Sequence, residues 1–131
     1  MGVPPDFDGN RPSGNNLIDL FAYLIRKYGR MDTSEYARIM QLKTSELRGA
    51  ILAISGMSAM EWRNRYLLLE AQELMERTDM SITEIAAKLG FSQPSVFSKF
   101  FRTLTKSQPW EWRIEKKKPG SNRKRTYHCY E

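Results

Sequence analysis

Residues 34–63 read SEYARIMQLKTSELRGAILAISGMSAMEWR, and residues 83–113 read TEIAAKLGFSQPSVFSKFFRTLTKSQPWEWR. The two stretches align at an offset of 49 residues, which becomes 50 after one inserted residue. Apolar positions coincide along the alignment: Ala37 with Ala86, Leu47 with Phe97, Ile51 with Phe101 and Ile54 with Leu104. Both stretches also close on Glu-Trp-Arg, at 61–63 and 111–113. The chain therefore contains two copies of one structural unit, and each closing Trp is expected to cover its own small core.

Apolar residues at helical spacing, interrupted by Gly and Pro, predict seven helices. The expected spans are about 17–28, 32–40, 44–55, 59–77, 81–89, 92–105 and 110–117. Asp32 with Glu35 and Ser81 with Glu84 resemble capping boxes, and Ser92 is a candidate cap ahead of Pro94. In the third helix, Leu47, Ile51 and Ile54 are expected to face inward, and Gly56 to end the helix. No segment alternates with the period of a strand.

This pattern predicts an all-α fold of two helix-turn-helix subdomains joined by a long linker helix. The subdomains are expected at 17–57 and 79–118, with the linker at 58–78. Residues 1–16 are rich in Pro, Gly and Asn and are expected to form a disordered leader. Residues 119–131 form a basic tail.

The positive charge is concentrated in the second half of the chain. Residues 1–80 carry ten Lys or Arg against eleven Asp or Glu, whereas residues 81–131 carry eleven against four, so the net charge of +6 arises entirely there. Such a half attracts a polyanion such as DNA. The tail cations are expected to follow phosphates, with a merely solubilising tail as the alternative; they are Arg123, Lys124 and Arg125.

Several function classes lack their sequence signals. No apolar run is long enough to cross a bilayer, so a cytoplasmic location is expected. Cys129 and His128 are too few ligands for zinc, and no metal or cofactor is expected. His128 is also the only histidine, and no phosphate-binding glycine loop or paired carboxylates occur, which argues against an enzyme.

Each unit has the geometry of a DNA reader: a short helix, a tight turn and a second helix with a polar outer face. A linker of about 19 residues is about 28 Å long at about 1.5 Å per residue, close to the ~34 Å turn of DNA. Two second helices at its ends are expected to enter successive segments of the major groove.

Residues 79–113, DMSITEIAAKLGFSQPSVFSKFFRTLTKSQPWEWR, resemble the second helix-turn-helix of the AraC-type transcription regulators. The likeness extends loosely back to about residue 16. It implies an all-helical domain with two helix-turn-helix units, which docks on double-stranded DNA to regulate transcription and has no catalytic site. A bacterial source, association with the nucleoid and binding as a monomer are the matching expectations.

The resemblance also assigns residues position by position. It implies that Pro94, Ser95, Ser98 and Lys99 face the bases, with Ser45, Arg48 and Gly49 at the corresponding positions of the first unit. Phosphate contacts are expected from Ser92, Gln93, Arg102 and Lys106.

The first unit departs from the family pattern. Gln41 replaces the glycine of the turn, and Gly49 and Leu52 stand where the family has basic side chains. Glu46 adds a negative charge to the same helix. In the second unit, Lys106 stands where the family has glycine at a helix end, at a cost of about 1 kcal/mol. The second unit is therefore expected to anchor the protein on DNA, with the first contributing weakly.

Two functions follow. The leading hypothesis is a sequence-specific transcription regulator that lacks a ligand-sensing domain within these 131 residues. The alternative is a protein-interaction adaptor whose degenerate first unit binds RNA polymerase or a partner regulator. Its candidate contacts are Met57, Met60 and Glu46.

Overall fold

The computed structural model describes residues 16–117. Within that range lie seven α-helices: α1 (Asn16–Tyr28), α2 (Thr33–Ile39), α3 (Thr44–Ser55), α4 (Ala59–Arg77), α5 (Ile82–Lys88), α6 (Pro94–Thr105) and α7 (Pro109–Lys117). None of these residues forms a β-strand. The predicted all-α fold is confirmed, and the predicted helix bounds agree with the observed ones to within two residues.

The described residues divide into two compact units, with the boundary between Tyr66 and Leu67, inside α4. The first unit holds α1, α2, α3 and the first part of α4. The second holds the remainder of α4 with α5, α6 and α7. The predicted leader, apart from Asn16 at the start of α1, and the predicted tail lie outside the described residues.

Aromatic rings fill the core of the first unit. Phe21, Tyr36, Leu47 and Ile51 are fully buried. The ring of Phe21 meets that of Tyr36 edge-on at 5.3 Å and that of Trp62 at 5.4 Å between centroids. Side chains from α1, α2, α3 and α4 thus enclose one small core, which holds the α2–α3 corner rigid.

The second unit repeats this plan with more phenylalanine. Ile85, Phe97 and Phe101 are fully buried, and Trp112 is also buried. The Phe101 and Trp112 rings lie 5.9 Å apart in an edge-on arrangement. Trp112 therefore covers the core of its unit as expected, whereas Trp62 is only half-buried and stacks on Tyr66 at 5.7 Å.

The Ser81–Glu84 capping box is confirmed. The Glu84 amide donates to the Ser81 hydroxyl at 3.0 Å, and the Ser81 amide donates to the Glu84 carboxylate at 2.8 Å. Gly56 ends α3 in the left-handed conformation, with φ of 78°. Both features satisfy backbone groups that a helix end leaves without an intrahelical partner.

Two predicted capping interactions were wrong. Asp32 is the N-cap of α2, as expected, but the predicted capping box is absent: the Asp32 side chain makes no capping hydrogen bond, and the Glu35 carboxylate pairs with Arg38 one turn on. Ser92 does not cap α6, since the N-cap is Gln93 in an extended conformation with φ of −146° and ψ of 150°. The proline ring of Pro94 restricts the residue before it to extended backbone, which fixes the boundary there.

Two predicted side-chain environments also differ. Ile54, expected in the core, is 44% exposed, whereas its counterpart Leu104 is 8% exposed. Helical periodicity sets the direction of a side chain but not whether a neighbouring element covers the last turn. Met57, expected at the surface, is half-buried, and its sulfur lies 3.9 Å from the Arg65 guanidinium. No helix between residues 16 and 117 has the length and apolar character of a membrane span.

Candidate nucleic-acid interface

The turn of the helix-turn-helix joins α2 to α3 in the first unit and α5 to α6 in the second. It has the same backbone hydrogen bond in both units. The Leu42 amide donates to the Ala37 carbonyl at 2.9 Å, and the Phe91 amide donates to the Ala86 carbonyl at 3.0 Å. The residue inside each turn is left-handed: Gln41 has φ of 62° and Gly90 has φ of 87°. The glutamine therefore adopts the conformation that glycine reaches without a Cβ penalty.

The inner face of the second helix fixes the direction of its outer face. Leu47 and Ile51 of α3 are fully buried, as are Phe97 and Phe101 of α6. Because each pair is four residues apart, it holds one side of its helix against the core. The opposite side of both helices faces solvent.

The outer face of α6 presents most of the side chains predicted to meet DNA in the second unit. Lys99 and Arg102 are exposed, and no ion pair within residues 16–117 engages either one. Ser98 is half-buried. The other predicted contacts of the second unit are exposed: Ser92, Gln93, Pro94, Ser95 and Lys106. Two cations one turn apart on an exposed helix can meet a row of phosphates or base edges.

Lys106 has a second role at the end of α6. It is left-handed, with φ of 68°, and its amide donates to the Arg102 carbonyl at 2.8 Å. The lysine therefore closes the helix in the place where the resemblance expects glycine. Its ammonium lies 3.4 Å from the Thr103 carbonyl, so the charge stays close to the end of the helix.

The outer face of α3 is nearly empty of charge by comparison. Ser45, Arg48 and Gly49 are exposed, and a Cβ built at Gly49 meets nothing within 4 Å. Leu52, which aligns with Arg102, is 56% exposed. Arg48 is thus the one exposed cation on the described outer face of α3.

Glu46 has a structural role that the sequence analysis did not assign to it. Its carboxylate accepts the Lys43 amide at 2.8 Å and so caps the start of α3. The sequence signal was present, since Glu46 stands three residues after the N-cap Lys43. The negative charge thus stabilises the helix end and also lies beside the surface predicted to meet DNA.

A cavity of about 380 Å³ opens in the first unit beside Arg48. Its lining is Thr33, Arg48, Leu52, Ser58, Ala59 and Met60. Leu52 and Met60 are both more than half exposed at its rim. The surface next to α3 is therefore an apolar depression with one cation at its edge.

The arginine of each Glu-Trp-Arg signature binds backbone carbonyls. The Arg63 guanidinium donates to the Met31 carbonyl at 2.7 Å, just before α2. The Arg113 guanidinium donates to the Met75 carbonyl at 3.0 Å and to the Thr78 carbonyl at 2.8 Å, at the end of α4. Both arginines therefore hold the segment that leads into the first helix of the helix-turn-helix. Sequence reasoning missed this role.

Tyr36 completes this junction in the first unit. Its hydroxyl donates to the Gly29 carbonyl and accepts the Met31 amide at 3.0 Å. Burial raises the pKa of this hydroxyl, although the hydrogen bond from Met31 acts in the opposite direction. Burial lowers the pKa of the neighbouring Arg63 guanidinium. Neither group belongs to the exposed face of α3.

The tail cations Arg123, Lys124 and Arg125 lie outside the described residues. Among residues 16–117, no three His, Cys, Asp or Glu side chains are placed to hold a metal ion.

Comparison with known proteins adds the family. A family profile described as a helix-turn-helix domain matches residues 36–114, which is more than half of the chain. The chain belongs to the AraC-type helix-turn-helix family. The match begins in α2 and ends in α7, so it includes both turns described above.

Two curated relatives and one solved structure illustrate the likeness. The chain is 44% identical over 52 residues to the regulatory protein PocR of Salmonella typhimurium, a match of 40% of this chain and 17% of the relative. It is 31% identical over 77 residues to the transcriptional activator RhaS of an Enterobacter species, covering 59% and 28%. The DNA-binding domain of AdpA, solved in complex with a target DNA, superposes with a TM-score of 0.66 at 23% identity, covering 75% and 89%.

These matches share one kind of region. The matched segments are less than a third of each curated relative but nearly all of the AdpA domain. The chain therefore corresponds to the helix-turn-helix part of such regulators.

Proposed function

We propose that this chain binds double-stranded DNA and regulates transcription, with the second unit as the anchor and the first as a weak contributor. The supporting observation is that Lys99 and Arg102 on α6 are exposed and form no ion pair within residues 16–117, whereas the aligned positions on α3 hold Gly49 and Leu52. The solved complex of the AdpA domain with DNA supports the same use of the fold.

Within this proposal the residues of α6 divide by task. Lys99, with Ser95 and Ser98, reaches base edges in the major groove, where lysine hydrogen-bonds guanine. Arg102 and Lys106 meet phosphates, joined by Ser92 and Gln93 at the turn and by the basic tail. Arg48, with Ser45 and Gly49, makes the minor contact of the first unit. No chemical reaction is part of this function. Cytoplasmic location, association with the bacterial nucleoid and binding as a monomer go with it.

The test begins with duplexes selected for binding from a random pool. Affinity of the full chain for a selected duplex is then measured by fluorescence anisotropy from 50 to 200 mM salt. The Lys99→Ala, Arg102→Ala double variant is expected to bind at least 30-fold more weakly, whereas Arg48→Ala is expected to bind within about threefold of the unaltered chain. The opposite ranking overturns the assignment of the anchor.

Single variants distinguish the phosphate contact proposed for Arg102 from the base contact proposed for Lys99. Arg102→Ala is expected to weaken binding to selected and scrambled duplexes alike and to lower the salt slope by about one, because each phosphate contact contributes about 0.9. Lys99→Ala is expected to reduce the preference for the selected duplex over the scrambled one, by about 1–3 kcal/mol if its contact is bidentate. Circular dichroism checks that both variants remain helical.

The apolar cavity favours a second candidate function. An exposed depression formed by Leu52 and Met60, with Arg48 at its rim, suits a partner protein better than a phosphate backbone. The candidate is an adaptor that binds RNA polymerase or a partner regulator. Titration with random duplex at low salt discriminates: micromolar or tighter binding supports the regulator, and no binding favours the adaptor.

A further inference from the structure

Trp110 is the most exposed tryptophan of the described chain. Its side chain is 57% exposed at the start of α7, whereas Trp112 is buried and Trp62 is half-buried. Tryptophan is usually buried, and an exposed one is a frequent anchor of binding surfaces. The other two tryptophans belong to the Glu-Trp-Arg signatures, which are part of the repeat. No contact within the described fold requires a large aromatic ring at position 110.

The internal repeat locates Trp110 relative to the predicted DNA contacts. Trp110 corresponds to Met60 and Arg102 to Leu52, both at an offset of 50 residues. In the first unit, Met60 and Leu52 line the same cavity. If the joint between the two helices has the same geometry in the second unit, Trp110 and Arg102 share one surface.

The joint does have the same hydrogen bonds in both units. The Ser55 hydroxyl donates to the Ile51 carbonyl at 2.7 Å, and the Thr105 hydroxyl donates to the Phe101 carbonyl at 2.9 Å. Each hydroxyl also accepts the amide two residues on, at 3.2 Å in both cases. The next residue is left-handed in both, with φ of 78° at Gly56 and 68° at Lys106. The start of α7 is therefore held relative to α6 as the start of α4 is held relative to α3.

We infer that Trp110 is a further DNA contact, placed beside Arg102 on the sugar–phosphate backbone. The indole face packs against a deoxyribose, and the indole N–H donates to a phosphate oxygen. An exposed tryptophan next to a guanidinium can make both contacts simultaneously. Such a contact adds affinity without reading sequence. The inference depends on the proposed anchoring of the second unit on DNA.

Glu111 provides an internal check on this placement. Its carboxylate accepts the Gln108 amide at 3.2 Å and caps α7, so its negative charge is fixed at the same helix start. If that turn faces phosphates, the charge weakens binding. Glu111→Gln keeps the acceptor oxygen and removes the charge, and is expected to tighten duplex binding about two- to fivefold at low salt.

The direct test uses tryptophan emission of the full chain. Acrylamide quenching reports mainly Trp110, because the other two indoles are more buried. Adding the selected duplex is expected to lower the quenching constant by about half. Trp110→Ala is expected to bind the selected and scrambled duplexes about 5- to 30-fold more weakly, and Trp110→Phe by less, since it retains the ring but loses the N–H.

The matched control is Ile114→Ala, one turn further along α7 at 55% exposure. It is expected to bind within twofold of the unaltered chain. The Trp110 contact is overturned if the chain binds the duplex while the quenching constant stays unchanged and Trp110→Ala binds as tightly as the unaltered chain. That result leaves the proposed function intact. Quenching protection that rises with protein concentration in the absence of DNA also overturns it, because a second copy then covers the ring. No duplex binding by the unaltered chain overturns the proposed function itself.

Discussion

The outer faces of α3 and α6 differ far more than their inner faces. Two buried positions per helix are large and apolar in both units: Leu47 and Ile51 in α3, and Phe97 and Phe101 in α6. Opposite them, Gly49 and Leu52 of the first unit match Lys99 and Arg102 of the second. Core packing constrains only the inward side chains, so two copies of one unit can keep one fold and present different surfaces.

The two units also satisfy the same backbone group with different residues. The Thr78 carbonyl at the end of α4 accepts the Arg113 guanidinium. At the aligned position in the first unit, the Gly29 carbonyl accepts the hydroxyl of Tyr36, and Arg63 binds the Met31 carbonyl instead. Ile85 is the residue of the second unit that aligns with Tyr36, and it has no hydroxyl. The tyrosine hydroxyl of the first unit therefore binds the carbonyl that arginine binds in the second. Arg63 and Arg113 are therefore structural arginines, distinct from the exposed cations of α6.

The largest expected effect is on stability at Arg113. Arg113→Ala removes two charge-assisted hydrogen bonds to carbonyls at the end of α4 and is expected to lower the free energy of unfolding by about 2–3 kcal/mol. Lys99→Ala, at an exposed position on α6, is expected to change it by less than about 0.5 kcal/mol. Urea unfolding followed by circular dichroism measures both. Equal losses would contradict the division between structural and surface cations.

A smaller change is expected when the first unit receives the cations of the second. Gly49→Lys with Leu52→Arg is expected to raise affinity for random duplex about tenfold at low salt and to steepen the salt slope by one to two. The control carries the same charges at exposed positions away from that face, as Ser34→Lys with Ile54→Arg. If both double variants gain equally, the effect is one of net charge, and the outer face of α3 does not approach DNA.

The left-handed positions predict effects of about 1 kcal/mol or less. Gln41→Gly and Lys106→Gly are each expected to stabilise the fold by up to about 1 kcal/mol, because a non-glycine residue is strained at positive φ. Gly90→Ala and Gly56→Ala are expected to destabilise it by a similar amount. Thermal unfolding of the four variants provides the measurement. A loss of stability in Gln41→Gly would show that the glutamine side chain contributes more than its backbone costs.

The smallest effect is a pH dependence confined to the first unit. Burial raises the pKa of the Tyr36 hydroxyl above its unfolded value, so the folded state favours the neutral form. The contribution to stability is therefore complete below about pH 10, the ordinary range for tyrosine, and is lost as the pH rises through the folded pKa. Urea midpoints from pH 8 to pH 11 should fall less steeply for Tyr36→Phe than for the unaltered chain. Parallel curves would assign the alkaline loss to other groups.

Much of the fold could be read from the chain because its signals are local. Helix spacing, the Ser81–Glu84 box and the end of α3 at Gly56 each depend on residues within one or two turns, and all were confirmed. The duplication reinforced them, since the same pattern had to fit twice. The differences at the two predicted caps are local too: the Glu35 carboxylate of the predicted Asp32 box pairs with Arg38 instead, and Pro94 fixes the N-cap at Gln93 rather than at Ser92.

The contacts between distant residues could not be read in this way. Nothing in the sequence links Arg63 to Met31 or Arg113 to Thr78, which are 32 and 35 residues apart. Nor does any local pattern indicate that the Tyr36 hydroxyl donates to the Gly29 carbonyl, seven residues earlier. For the candidate site, all but the half-buried Ser98 of the residues that the resemblance assigned to DNA on α6 are exposed, because Phe97 and Phe101 hold the other side of the helix in the core. Which of those exposed groups meets DNA remains a prediction.

The division of α4 between the units has a consequence for cooperativity. Trp62 and Arg63 lie on its first half and Leu67, Leu68 and Met75 on its second, so the same hydrogen-bond ladder runs through both cores. Helix formation is cooperative, so unfolding the part of α4 in one core destabilises the adjoining turns in the other core. Partial unfolding of either unit therefore propagates along α4. Limited proteolysis inside α4 should accordingly destroy both halves together, and an independently folding half would need residues 59–77 intact.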